Sequence, residues 1–149
     1  MNDSRMPKSS KMELSQDDDI LTSELDPFKK FQHLITILRA DEGCPWDRRQ
    51  TPATIKKYLL DEAAELAEAI DHEDPGHICE EIGDLFYILL MLCRMFEEQN
   101  LFTADSALEG IFTKMIRRHP HVFAGQPTGS EEDLRRQWEA IKKEEKKNR

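Results

Sequence analysis

The sequence predicts an all-α fold, and three observations carry that prediction. Apolar residues recur at helical spacing along most of the chain, strand-like alternation is absent throughout, and helix-starting signals stand ahead of the periodic stretches. Two of these signals join a capping residue to a proline, Asp26-Pro27 and Thr51-Pro52. The expected architecture is a four- to five-helix bundle built on an antiparallel helical hairpin.

The elements follow in order. At 149 residues the chain is long enough for one domain with a modest core. Residues 1–25 are polar, carry the run Asp17-Asp18-Asp19 and lack sustained periodicity, which predicts a disordered tail ahead of a domain over 26–149. Asp26-Pro27 opens the first helix, whose apolar face is Phe28, Phe31, Leu34, Ile35 and Leu38. Residues 41–49, with Gly43 and Pro45, read as a loop. Thr51-Pro52 opens the second helix, which ends near His72. Asp74-Pro75-Gly76 reads as a tight turn, so a third helix, about residues 77–98, is expected to run antiparallel to the second. A fourth helix over about residues 103–118 would turn Leu108, Ile111, Phe112 and Met115 inward, and His119-Pro120 stops it. After a loop with Gly125, Pro127 and Gly129, Ser130 and Asp133 resemble a capping box, with Asp in place of Glu or Gln. The last helix carries Leu134, Trp138 and Ile141 on one face.

Chemistry concentrates on the second and third helices. Glu62 and Glu65, and again Glu81 and Asp84, stand three residues apart, so each pair projects to nearly the same side of its helix. Glu62 falls in the apolar stripe of Ile55, Leu59, Leu66 and Ala69, and Glu81 in that of Ile78, Leu85, Ile88 and Leu92. A carboxylate inside an apolar stripe is costly unless its charge is compensated. Asp61, Glu68, Glu73 and Glu80 fall off the stripes and read as an ordinary solvated face. Facing helices would converge the four acids on one point, an oxygen-only donor set suited to Mg²⁺, with Mn²⁺ as a substitute. A di-iron carboxylate bundle would need Glu-x-x-His motifs, and neither pair contains histidine.

Composition excludes other classes. A net charge of −9 argues against a nucleic-acid-binding surface. The three cysteines, Cys44, Cys79 and Cys93, are odd in number and form no C-x-x-C pair, which argues against a disulfide framework or zinc knuckle and for a reducing cytoplasm. Arg94 and Glu97 end the apolar stretch from Leu85 to Cys93 short of a membrane span, and no signal-peptide core is evident at the N-terminus.

Basic and aromatic residues gather near the C-terminus. Lys114 and Arg118 are four apart, with Arg117 beside them; they could simply favour the helix dipole, or could bind outer phosphates and offset charge on a departing pyrophosphate. Trp138 lies one turn before Lys142, where a lone Trp would more often be core. Trp46 reads as a loop anchor, His119 and His121 as structural, and Cys44 lacks an evident base for a nucleophilic role.

Together these segments resemble the MazG family of nucleoside triphosphate pyrophosphohydrolases, from about Phe28 to Glu145. Gly43-Cys44-Pro45-Trp46-Asp47 looks like the family's loop before the second helix. Asp61-Glu62-Ala63-Ala64-Glu65 and Glu81-Ile82-Gly83-Asp84 look like its paired acidic motif, with Asp61 where Glu is usual. Residues 117–123, Arg-Arg-His-Pro-His-Val-Phe, and residues 138–142 look like its C-terminal segments; the former and the loop separate this family from dUTPase-like and phosphoribosyl-ATP relatives. The resemblance implies Mg²⁺-dependent hydrolysis of a (deoxy)nucleoside triphosphate to the monophosphate and pyrophosphate. It implies Glu62, Glu65, Glu81 and Asp84 as metal ligands and catalytic acids, Lys114 and Arg118 as phosphate contacts, and Trp138 and Lys142 as nucleotide contacts. It also implies a homodimer, for which Leu60, Ala63, Ala67, Phe86, Leu90 and Cys93 are the apolar residues left over on the hairpin. The alternative from another class, a non-catalytic helical interaction module, has no use for acids within the stripes.

Overall fold

The computed structural model describes residues 25–147; the tail expected over residues 1–25 lies, but for Leu25, outside them. The described residues form seven helices: α1 (Pro27–Arg39), α2 (Pro45–Arg49), α3 (Pro52–Asp71), α4 (Pro75–Glu97), α5 (Ala104–Arg118), α6 (Pro120–Phe123) and α7 (Glu131–Lys147). No strand occurs among them, as the periodicity predicts. None of these helices is long and apolar enough to cross a membrane. The chain divides into two compact units after Met95.

In the first unit the helix starts follow the capping chemistry. Asp26 Oδ1 accepts from the amides of Phe28 and Lys29 at 3.0 and 3.2 Å. Thr51 Oγ1 accepts from the Thr54 amide while Thr54 Oγ1 accepts from the Thr51 amide, at 3.3 and 2.9 Å, a reciprocal box built from two threonines. The segment expected to be a loop contains the short helix α2. Pro45 sits where a helix needs no amide donor, and the Arg39 guanidinium donates to the carbonyls of Asp47 and Gln50 at 2.6 and 3.2 Å. Leading into α2, the Gly43 amide donates to the Ala40 carbonyl at 2.8 Å, and a Cβ there would lie 2.3 Å from the Ile37 carbonyl oxygen.

Pro75 and Gly76 belong to α4 and not to the turn before it. Asp74 Oδ1 accepts from the Gly76 and His77 amides at 2.9 and 3.3 Å and so caps that helix. The reversal is completed by Glu73, which holds a left-handed φ of 54°. Helices α3 and α4 thus form the predicted hairpin. Ile35, Ile55, Ala69, Ile88, Leu90, Met91 and Met95 make the core, and the buried Asp47 carboxylate accepts from the Tyr87 hydroxyl. Burial, and then that bond, push the Tyr87 hydroxyl well above its ordinary pKa. Trp46 meets Tyr58 edge to face at 5.5 Å.

The second unit begins where α4 ends. Asn100, with φ 57°, allows the Leu101 amide to reach back to the Phe96 carbonyl at 3.0 Å. Phe96 and Phe102 stack at 4.9 Å. Thr103 caps α5, and His119-Pro120 ends it as expected, although Pro120 then starts the single turn α6. The Ser130–Asp133 box is present, with amide-to-side-chain distances of 3.2 and 3.0 Å; the Ser130 amide, then its hydroxyl and Arg136, donate to the Asp133 carboxylate and hold it down at about 2. One expectation fails here. Leu108, Ile111 and Phe112 are 48, 44 and 60% exposed, and only Met115 is partly covered. Helical spacing identifies an apolar face; in a single copy of the chain little lies over this one.

Candidate functional site

Three of the four expected acids come together. One oxygen each of Glu62, Glu81 and Asp84 lies within 4.8 Å of the others. The hairpin accounts for this, since α3 and α4 turn their stripes to one interior: Ile55 and Ala69 flank Glu62 and Ile88 follows Glu81, all three fully or nearly buried. Glu81 is itself only 5% exposed. Its Oε1 lies 2.9 Å from His77 Nε2, while Oε2 is buried without a hydrogen-bond partner. Burial, followed by the like charges of Glu65, Asp84 and Glu81, raises the Glu62 carboxyl above its ordinary pKa. Glu65 lies outside the group of three and is exposed.

These residues fit a hard divalent cation. An octahedral cation with oxygens at about 2.1 Å separates opposite ligands by about 4 Å, comparable with the oxygen spacing of the group. A buried, unpartnered carboxylate oxygen and a carboxyl destabilised by its neighbours' charge are what a bound cation would satisfy.

The basic and aromatic candidates lie in the second unit. Arg118 and Arg117 both grip Glu145: Arg118 Nε and Nη2 lie 3.1 and 2.5 Å from Oε2, and Arg117 Nε and Nη2 lie 2.8 and 2.5 Å from Oε1. Those guanidinium bonds, Arg118's first, lower the Glu145 carboxyl to about 2. The Arg118 guanidinium also lies 5.1 Å above the Trp138 ring, whose edge meets His119 at 5.2 Å. His119 is fixed in turn by Nδ1, 2.6 Å from the Met115 carbonyl. Lys114 is half-buried on α5, and Lys142 pairs with Glu139 at 3.1 Å. Arg118 and Trp138 are therefore brought together, with Lys142 one turn beyond Trp138 on α7.

Two residues of these clusters escape a reading of the sequence. His77 is four residues before Glu81, a spacing that could have suggested contact. Glu145 stands 27 residues from Arg118, and only the fold joins them.

Comparison with known proteins identifies the family. Residues 50–123 match the MazG nucleotide pyrophosphohydrolase domain, a span that contains all four acids, Lys114 and Arg118. The chain is 44% identical over 119 residues to the uncharacterized protein YabN of Bacillus subtilis, covering 80% of this chain and 24% of that one. It is 40% identical over 119 residues to the nucleoside triphosphate pyrophosphohydrolase/pyrophosphatase MazG of Thermotoga maritima, covering 78% of this chain and 45% of the relative. The chain thus spans about a quarter of the first relative's length and under half of the second's. The crystal structure of a mazG-related protein from Thermotoga maritima superimposes with a TM-score of 0.64 at 28% identity, over 77% of this chain and 98% of that one. With the acidic hairpin, the matched domain and the shared fold in agreement, the chain belongs to the MazG nucleotide pyrophosphohydrolase family.

Proposed function

We propose that the protein hydrolyses (deoxy)nucleoside triphosphates to the monophosphate and pyrophosphate, with Mg²⁺ as its metal and Mn²⁺ as a substitute. The observation that carries this reading is the meeting of Glu62, Glu81 and Asp84, with an unpartnered buried oxygen among them, inside a MazG domain. When bound, the cation supplies Lewis-acid polarisation of phosphate oxygens and a more acidic water. Glu62, Glu81 and Asp84 hold it, and Glu65, outside that group, is a candidate to orient the water and take its proton. Any of the four acids could fill that last role. The water oxygen bonds to the α-phosphorus as the bond from that phosphorus to the bridging oxygen breaks, and pyrophosphate leaves. In this reading Lys114 and Arg118 offset the charge of the leaving group, and Trp138 and Lys142 contact the nucleotide.

The proposal extends to assembly and setting: a homodimer in a reducing cytoplasm, consistent with an odd number of cysteines and no C-x-x-C pair. The hairpin's exposed large apolar residues are Leu60, Ile70, Ile82, Phe86 and Leu89. Leu90, expected on that face, lies in the core instead, because α4 is apolar around most of its circumference and Ile82, Phe86 and Leu89 form its outer stripe.

The test is a screen of common and oxidised nucleoside triphosphates for Mg²⁺-dependent pyrophosphate release. Pyrophosphate should appear in one step, and Glu62→Ala and Glu81→Ala should each abolish turnover and the stabilisation that Mg²⁺ gives the fold. A nucleoside diphosphate as first product, or near-normal activity in either variant, would overturn the reading.

A further inference from the structure

We propose that His77 is a positioning residue for the metal centre: it holds the outer oxygen of Glu81 so that the inner oxygen is presented to the cation. The inference rests on the reading of Glu62, Glu81 and Asp84 as metal ligands. Three observations carry it. His77 Nε2 lies 2.9 Å from Glu81 Oε1, close enough for the imidazole to pair with that oxygen. Glu81 Oε2 is buried and has no partner. The Glu81 side chain is 7% exposed and that of His77 43%, so the two oxygens of one carboxylate divide between a surface imidazole and the interior.

The helix accounts for the alignment. Residues four apart on a helix are neighbours, and helical side chains lean toward the N-terminus, which brings the Glu81 carboxylate back over the turn that carries His77. That turn is itself fixed, because Asp74 Oδ1 accepts from the His77 amide at 3.3 Å. A carboxylate with neither oxygen held can rotate about its last bond and lose its alignment with Glu62 and Asp84. His77 removes that freedom and leaves Oε2 free of protein partners. His77 stands outside the group of side chains whose ligand atoms converge, so it acts through Glu81 and not as a fourth ligand.

The experiment measures Mn²⁺ affinity, from the electron paramagnetic resonance signal of free Mn²⁺, for the wild-type chain, His77→Ala and His77→Gln, with circular dichroism verifying each fold. Loss of such an outer partner typically weakens metal binding by about 10- to 100-fold. His77→Ala should therefore bind Mn²⁺ at least about tenfold more weakly. His77→Gln, whose amide N–H can replace the ring donor, should recover most of that loss. In turnover, His77→Ala should need more Mg²⁺ for half-maximal rate yet approach wild-type kcat at saturating Mg²⁺. Unchanged Mn²⁺ affinity in His77→Ala, or no recovery in His77→Gln, overturns the inference while leaving the metal site standing. A wild-type chain that binds no Mn²⁺ overturns the metal reading and the positioning role together.

Discussion

Glu145 is an acid whose surroundings strongly change its chemistry. Two guanidiniums hold its carboxyl at about 2 instead of the ordinary 4.5, so folding favours the charged form. A depressed carboxylate contributes stability that is complete above the ordinary pKa and is lost as pH falls through the folded value. The wild type should therefore lose more stability than Glu145→Gln as pH falls from about 4.5 toward 2, and should be the more stable of the two at neutral pH. Thermal unfolding of both across that range checks the sign; parallel curves would remove the claim. The residue scale also separates what sequence can reveal from what it cannot. Glu62 and Glu81 are legible because an acid within an apolar stripe is anomalous by periodicity alone. Glu65 is less so: three residues of helix rotate it about 60° off the line of Glu62, enough to leave it exposed and outside the group. Asp84 has the same offset from Glu81 yet joins the group, so spacing alone does not decide membership.

At the scale of elements, the helix starts follow from local chemistry. Capping involves residues three apart or fewer, so Asp26, Thr51 and the Ser130–Asp133 box could all be read directly. Helix α2 could not, since its last carbonyls depend on Arg39 of another helix. The inward face expected for α5 likewise fails because periodicity does not say what lies opposite. Two connections carry backbone constraints with opposite consequences. Glu73 holds a left-handed φ with a Cβ, so Glu73→Gly should stabilise the chain by up to about 1 kcal/mol in denaturant unfolding. At Gly43 a Cβ would press on the carbonyl oxygens of Ile37 and Leu38, at 2.3 and 2.4 Å, and backbone cannot yield cheaply. Gly43→Ala should cost about 2 kcal/mol or more in the same measurement and loosen α2. A neutral result at Gly43 would mean that the α1–α2 connection is more pliable than its close contacts imply.

For the whole molecule, the informative surface is the one left uncovered. Leu60 is 61% exposed and Phe86 47%, with Ile82 and Leu89 beside Phe86 on its helix, more apolar surface than the small core leaves easily explained. If a second copy closes this hairpin face, mixing inactive Glu62→Ala with inactive Trp138→Ala chains should restore part of the activity, provided each site draws its acids from one chain and Trp138 from the other. Sedimentation of a fully active monomer at micromolar concentration would remove the dimer. A dimer of this kind would also make abundance a thermodynamic variable. A chain whose core is completed by its twin has no single melting temperature, because each tenfold dilution takes about 1.4 kcal/mol from the assembled state. Expression level would then act on folding as well as on rate, and a culture making little of the protein would hold a smaller folded fraction of it.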